Sequence, residues 1–154
     1  MDDAFWMNRA IIEAQNALDE DEVPVGCVIV HNNRIIGRGY NQIESLQDPT
    51  AHAEIIAITA AAEHLGSRRL EGCALYVTLE PCVMCCGAMV LARIDRLVFG
   101  ARDPKAGAAL TLYNIPADTR LNHRIEIVEG IYADECGNML SEFFRRLRTN
   151  KTVN

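Results

Sequence analysis

Apolar residues recur near helical spacing between residues 4 and 18, and polar side chains fill the positions between them. This pattern predicts an amphipathic helix that covers a core. Two apolar runs follow at residues 25–30 and 34–40, separated by Asn32 and Asn33. Because asparagine tolerates the positive φ of a tight turn, these runs predict two antiparallel strands joined as a hairpin.

The middle of the chain alternates predicted helices with predicted strands. An alanine-rich helix is expected over residues 51–65, since the segment Asp48 to Thr50 supplies a cap and an opening proline and Gly66 supplies a stop. A third strand is expected at 74–79, and Pro81 opens a short second helix. The remaining pattern predicts strands at 97–100 and 125–128, a long connection over 101–120 and a closing helix at 134–147.

This order of elements predicts an α/β protein. Helices between the second and third strands, and between the third and fourth, suit crossover connections. We therefore expect a mixed five-stranded sheet with helices on both faces, a three-layer α/β/α architecture. The chain has 154 residues, 49% of them hydrophobic, and shows no repeat or linker. These properties predict a single domain spanning residues 1–154.

Cysteine content and the first residues bear on location. The chain has six cysteines, but its start is acidic and lacks the apolar stretch of a signal peptide. We expect a cytoplasmic protein whose thiols are reduced, so metal binding or burial explains them better than disulfides. No apolar run approaches the roughly 20 residues that span a bilayer, so no membrane partner is expected.

The net charge of −6 is unevenly distributed. Residues 1–22 hold seven acidic residues and only Arg9 as a cation, so the rest of the chain is balanced. Four cations follow Glu142 with no acid among them: Arg145, Arg146, Arg148 and Lys151. They are typical of a phosphate-facing tail, and equally of a solvated helix end where cations are favoured by the helix dipole. The charge permits a nucleic-acid partner without requiring one.

His52, Cys82 and Cys85 form the strongest chemical pattern. A catalytic zinc takes three protein ligands and keeps a fourth position open, and one imidazole with two thiolates meets that need. Cys82 and Cys85 are three residues apart, so on a helical turn both sulfurs share a face. Both motifs are predicted in the first turn of a helix, where the helix N-terminus favours the thiolate.

Glu54 adds a group that a structural zinc site does not need. A carboxylate beside the metal can take a proton from the attacking water and return it to a leaving group. By itself, the Cys82 and Cys85 pair is also typical of a redox motif, and a lone histidine at a helix start is often only a hydrogen-bonded polar residue. The two motifs together, each at a helix start, favour a catalytic zinc site.

The combination of H-x-E with a later P-C-x-x-C is the signature of zinc deaminases that act on nucleobases. Over residues 5–147 the chain also resembles one branch of that superfamily, the bacterial tRNA-specific adenosine deaminases of the TadA family. The matching segments are VPVG (23–26), DPTAHAE (48–54), VTLEPCVMC (77–85), FGARDPK (99–105), LNHR (121–124) and FFRR (143–146).

The resemblance implies a cytidine deaminase-like fold and a defined reaction. Adenosine at the wobble position of a tRNA anticodon stem-loop would be converted to inosine by a homodimer with one Zn²⁺ per subunit. Asn41 would contact the extruded purine. Other residues would hold the loop nucleotides: Asp103, Lys105, Asn122 and Arg145.

Two segments depart from the family pattern. Cys86 stands where a small residue is usual, and four residues after Cys82 it is a competing candidate ligand. Ala109-Leu110-Thr111 replaces an expected glycine-serine step where the family contacts RNA. The alternative functions are deamination of a free base or nucleoside, such as guanine or cytosine, and a non-catalytic zinc module. The basic tail disfavours the first alternative, and Glu54 disfavours the second.

Overall fold

A computed structural model describes the backbone of residues 1–153 and the side chains of residues 1–150. The side chain of Lys151, part of the predicted basic tail, therefore lies outside the described residues. The elements are α1 (Asp3–Asp19), β1 (Gly26–His31), β2 (Arg34–Tyr40), α2 (Ile43–Leu46), α3 (Ala53–Leu65), β3 (Cys73–Leu79), α4 (Val83–Ala92), β4 (Arg96–Ala101), a 3₁₀ helix (Ile115–Ala117), β5 (Glu126–Val128) and α5 (Ala133–Val153).

The five strands form one mixed sheet in the order β2-β1-β3-β4-β5. β1 is antiparallel to both β2 and β3, while β3, β4 and β5 are mutually parallel neighbours. The β1–β2 turn is formed by Asn32 and Asn33 with φ values of 50° and 61°. Positive φ at both central residues is what a tight two-residue hairpin requires, so the predicted hairpin is confirmed.

Alternating side chains along the strands build two cores. On one face Ile29, Leu75 and Phe99 pack with α3 and α4. On the other face Val28 and Val98 pack with α1 and the start of α5. The central strands β1, β3 and β4 are thus buried on both sides, and the predicted three-layer α/β/α arrangement is confirmed.

Several predicted boundaries are wrong. The alanine-rich helix α3 begins at Ala53 instead of residue 51, because the Asp48 carboxylate accepts hydrogen bonds from the Thr50 amide and hydroxyl and closes a turn instead of capping the helix. β4 is longer than predicted and α5 extends to Val153. The sequence shows no periodic pattern of apolar residues over the short α2 or the 3₁₀ helix, and neither was predicted. None of the described helices is long and apolar enough to cross a membrane.

The strand directions place two helix starts together. Since β1 runs antiparallel to both of its neighbours, β2 and β3 run in the same direction and end at the same edge of the sheet. α3 follows β2 and α4 follows β3, so both helices begin at that edge and pack on the same face. Gly39 lets α3 approach, because a Cβ atom there would lie 2.3 Å from the Ala53 carbonyl oxygen. Ligands bind at such carboxyl edges in open α/β sheets.

Candidate metal centre and substrate cavity

His52 and Cys82 occupy equivalent places at the starts of α3 and α4. Each is the N-cap residue of its helix, with φ and ψ of −75° and 152° for His52 and −78° and 178° for Cys82. The prediction that both lie in a first helical turn is therefore wrong by one position, whereas Glu54 and Cys85 do lie in first turns. Because the His52 backbone is extended, its side chain does not follow the angular spacing of side chains along the helix. His52 and Glu54, two residues apart, can therefore reach the same site.

The three predicted ligand atoms lie close together. His52 Nδ1 is 3.6 Å from the sulfur of Cys82 and 3.6 Å from the sulfur of Cys85. Ligands held at about 2.05 Å for nitrogen and 2.3 Å for sulfur on a tetrahedral zinc are about 3.6 Å apart. The donor set and its spacing therefore fit a zinc ion with one position left open, and the site lies at two helix N-termini.

Electrostatics at the donor atoms favour a cation. The pKa of the Cys82 thiol is lowered to about 4, because the Cys85 thiol and the His52 ring both donate to its sulfur. The same contact with Cys82, together with burial, raises the pKa of Cys85, and the pKa of His52 is also raised by its hydrogen bond to Cys82. A metal ion takes the place of these shared protons when it binds thiolates.

Cys86 lies outside this group. Its thiol is buried and donates to the Pro81 carbonyl oxygen at 3.6 Å. Among the described residues, the cluster with mutually close ligand atoms consists of His52, Cys82 and Cys85.

Glu54 is buried beside the donor atoms. Burial raises the pKa of its carboxyl group to about 7, although the charge on His52 opposes the shift. A carboxyl group with a pKa near neutrality both accepts and releases protons at neutral pH, which is the property required of a general acid and base.

A cavity of about 190 Å³ opens beside this group. His52, Glu54 and Cys82 line it, together with the polar residues Asn41 and Asp103. The remaining lining residues are mostly apolar: Val23, Val25, Ile43, Ala53, Leu79, Glu80 and Ala106. Apolar walls with a few placed polar groups are typical of sites for flat heterocycles, and the volume is below the roughly 300–1,000 Å³ of pockets for drug-sized ligands.

Comparison with known proteins agrees with this geometry. Residues 1–148 match the MafB19-like deaminase family. The chain is 51% identical to the tRNA-specific adenosine deaminase of Bacillus subtilis over 149 residues, covering 97% of this chain and 92% of that protein. The chain belongs to the tRNA-specific adenosine deaminase family. A solved structure from studies of tRNA:A34 deaminases matches this deaminase with a TM-score of 0.83 and 44% identity over 87% of this chain and 97% of that one.

A solved guanine deaminase from Bacillus subtilis is also similar, with a TM-score of 0.63 and 38% identity. That similarity covers only 66% of each chain. The tRNA deaminases match over a larger share of the chain, including the segments around the cavity and the closing helix. The family assignment therefore rests on nearly the whole deaminase and not on the metal motif alone.

The predicted RNA contacts are spread over a wider surface. Asn41 and Asp103 line the cavity, as described above. Lys105 and Asn122 are exposed on loops, and Arg145 is exposed on α5; all three lie outside the cavity lining. Arg145 and Arg146 both pair with Glu142, so part of the positive charge expected on this helix is neutralised.

Two buried carboxylates near the cavity were missed by the sequence analysis. Glu22 accepts hydrogen bonds from the Glu44 and Ser45 amides at 3.0 and 2.6 Å, and so holds α2 beside Asn41. Glu80 accepts from the segment that follows β4. Burial alone would raise the pKa of both acids, but their N–H and O–H donors hold the pKa of each below its usual value. In the sequence, Glu22 is hidden in an acidic run and Glu80 in the motif around Cys82.

Metal analysis can test the ligand set directly. Purified protein should hold about one zinc per chain, because three ligands converge on one site. Cys86→Ala should keep that zinc, whereas the matched Cys85→Ala variant should lose most of it. Cobalt substitution should give the absorption of a site with two sulfur ligands. Loss of metal from the Cys86 variant, or a three-sulfur cobalt spectrum, would contradict this assignment.

Proposed function

We propose that the protein hydrolyses the exocyclic amine of adenosine at the wobble position of a tRNA anticodon loop, giving inosine and ammonia. The observation that carries this proposal is a buried Glu54 beside three converging metal-ligand atoms at a base-sized cavity. Relatives aligned over nearly the whole chain bear the name of tRNA-specific adenosine deaminase, which supports the substrate.

The chemistry follows from the groups in the cavity. When bound by His52, Cys82 and Cys85, zinc supplies the Lewis acidity that makes water a nucleophile near neutral pH. Glu54 takes the proton of the attacking water and delivers it to the ring nitrogen next to C6. A second transfer through Glu54 moves the remaining hydroxyl proton on C6 to the amine, which leaves as ammonia as the C6 carbonyl forms. Burial raises the pKa of Glu54 above that of an ordinary glutamate, which suits a group that must both take and return a proton.

Asn41 and Asp103 are proposed to recognise the base and its sugar. Asn41 is buried, and its amide already donates to the Val23 carbonyl and accepts from the Ile43 amide, both at long distances of 3.4 and 3.3 Å. These contacts orient its amide in the cavity wall. An amide both donates and accepts, as a purine edge requires. The Asp103 carboxylate can accept from a ribose 2′-hydroxyl, which distinguishes RNA from DNA.

Lys105, Asn122 and the arginines of α5 are proposed to hold the flanking nucleotides. They lie outside the cavity, where the phosphates of a loop would remain once its base is extruded into the site. Arg145 and Arg146 share one glutamate, so a net positive charge remains available to the RNA. Local charge of this kind can bind RNA although the chain carries a net charge of −6.

We also propose that the protein acts as a homodimer through α4. Val83 and Leu91 are 51% and 75% exposed on this helix. Gly87 lies between them at four-residue spacing, and a Cβ atom there would meet nothing within 4 Å. Further exposed apolar side chains, Leu110, Leu112 and Tyr113, follow on the segment leading to the 3₁₀ helix that packs beside α4. Exposed apolar surface of this kind is typical of a protein interface.

Glu54→Gln should reduce turnover on an anticodon stem-loop by on the order of 10³-fold, because the amide preserves shape but cannot take the proton. Zinc content and thermal stability should stay close to wild type. Glu63→Gln makes the same change on an exposed position of α3 and should be fully active. The assay measures inosine in the stem-loop, with free adenine and guanine as parallel substrates. Unchanged turnover would remove Glu54 from the mechanism, and activity on guanine alone would refute the RNA substrate.

Base recognition and backbone binding should separate in a salt titration. Replacing Arg145, Arg146 and Arg148 together with alanine should weaken stem-loop binding and flatten its dependence on salt, since fewer counterions are released. Asn41→Ala should instead lower turnover with little change in the salt slope, because base contacts carry less of that dependence. An unchanged salt slope in the triple variant would place RNA binding elsewhere on the surface.

Association through α4 can be measured by sedimentation. Wild-type protein should have twice the 17.1 kDa mass of one chain. Leu91→Glu should shift it to the monomer, because a charge in an apolar interface is left without solvent. Ile12→Glu places the same charge at a half-exposed position on α1, on the other face of the sheet, and should remain dimeric. A dimeric Leu91→Glu variant would exclude this face.

A further inference from the structure

Glu80 connects the metal-binding turn to a wall of the cavity. It follows β3 directly and precedes Pro81 and Cys82 in the chain, and it is only 2% exposed. Oε1 accepts from the Asp103 amide at 3.1 Å and from the Thr111 hydroxyl. Oε2 accepts from three consecutive amides, those of Ala109, Leu110 and Thr111, at 3.2, 2.8 and 2.9 Å. Both oxygens are therefore fully used inside the protein.

The segment 103–111 is shaped around this carboxylate. Three successive N–H groups converging on one oxygen form an anion-binding concavity of the backbone. Gly107 closes the other side, because a Cβ atom at this position would lie 2.4 Å from the Glu80 carboxyl carbon. The Ala108 amide donates to the Pro81 carbonyl at 2.9 Å, which adds a second tie to the same turn. The segment is thus held at both ends and in the middle.

This segment supplies part of the cavity wall. Asp103 and Ala106 line the cavity, and the Asp103 amide is one of the donors to Glu80. The Asp103 carboxylate accepts in turn from the Lys105 and Ala106 amides at 3.0 and 3.2 Å. Glu80 is the buried charge on which these polar contacts converge, so loss of its acceptor atoms would release the wall.

We propose that Glu80 is a positioning residue that holds the segment 103–111 in the conformation that receives the substrate nucleotide. The proposal rests on the function proposed above for this cavity. Glu80 acts through the wall and does not touch the reacting atoms, because its oxygens are occupied by the segment. Four of its five donors are backbone amides, which every residue except proline provides. These four contacts therefore do not depend on side-chain identity, whereas the fifth comes from the Thr111 hydroxyl, and Ala109 is also buried in the core.

Glu80→Gln tests this role. The amide has one accepting oxygen and one donating nitrogen, so in either orientation some N–H or O–H donors of the segment lose their acceptor. We expect KM for the stem-loop to rise by about tenfold or more with kcat within about threefold of wild type, given the strength of hydrogen bonds to a buried charge. Zinc content should remain about one per chain.

Hydrogen exchange gives a readout that does not depend on activity. The amides of Ala109, Leu110 and Thr111 should exchange at least about tenfold faster in the variant, whereas amides of β1 should be unchanged. Glu71→Gln is the matched control, because Glu71 is an exposed acid just before the start of the same strand. It should resemble wild type in KM and in exchange.

Three further variants keep the test decisive if Glu80→Gln does not fold. Gly107→Ala pushes on the same carboxylate without changing charge and should raise KM and exchange in the same way. Thr111→Val removes one donor of five and should raise KM by a few-fold, while Thr111→Ser restores the hydroxyl and should return it to wild type.

Wild-type KM and wild-type exchange in folded Glu80→Gln would overturn the proposal. Loss of zinc with a large fall in kcat would also overturn it, because Glu80 would then act on the ligand Cys82 and not on the wall. If wild-type protein does not deaminate the stem-loop, the proposed function fails. Hydrogen exchange in the variants would still decide whether Glu80 holds the segment.

Discussion

The meeting of two helix N-termini at one edge of the sheet is the constraint on which the site depends. It exists because β1 lies antiparallel between β2 and β3, so that both of these strands end at the same edge. The N-cap residues of the following helices are His52 and Cys82. Both N-cap residues have an extended backbone, and their side chains meet at the ends of the two helices. The positive ends of two helix dipoles then lie beside thiolates that would otherwise be costly to bury.

Three buried glutamates near the cavity differ because their surroundings differ. Glu54 lies against apolar residues and thiols, and burial raises its pKa to about 7. Glu22 and Glu80 are also buried, but several N–H or O–H donors point at each of them and keep the pKa of each below its usual value. Desolvation opposes ionisation and hydrogen bonding favours it, so the number of donors decides which carboxyl group titrates near neutral pH and which remains a fixed charge.

The cavity walls come from segments that have little regular structure. The α2 segment beside Asn41 is held by Glu22, and the 103–111 segment beside Asp103 is held by Glu80. Loops that form binding sites need such support, because few apolar contacts order them. In this member of the tRNA-specific adenosine deaminase family, the cluster of potential metal ligands is thus carried by helix starts, and two walls of the cavity are carried by loops.

The sequence by itself determined the layer architecture and the metal group. Alternating and helical periodicity located the strands and long helices, and the residue types and spacing of His52, Cys82 and Cys85 predicted the cluster of ligand atoms that the structure brings together. Periodicity did not locate α2 or the 3₁₀ helix, since both are short and are held by tertiary contacts. It also misplaced the start of α3, because Asp48 closes a turn with Thr50 instead of capping the helix. Only the tertiary structure separated Cys86 from the ligand sulfurs, by directing its thiol to the Pro81 carbonyl. Only the tertiary structure distinguished Glu22 and Glu80 from surface acids, because burial and long-range hydrogen bonds arise when segments distant in the chain come together.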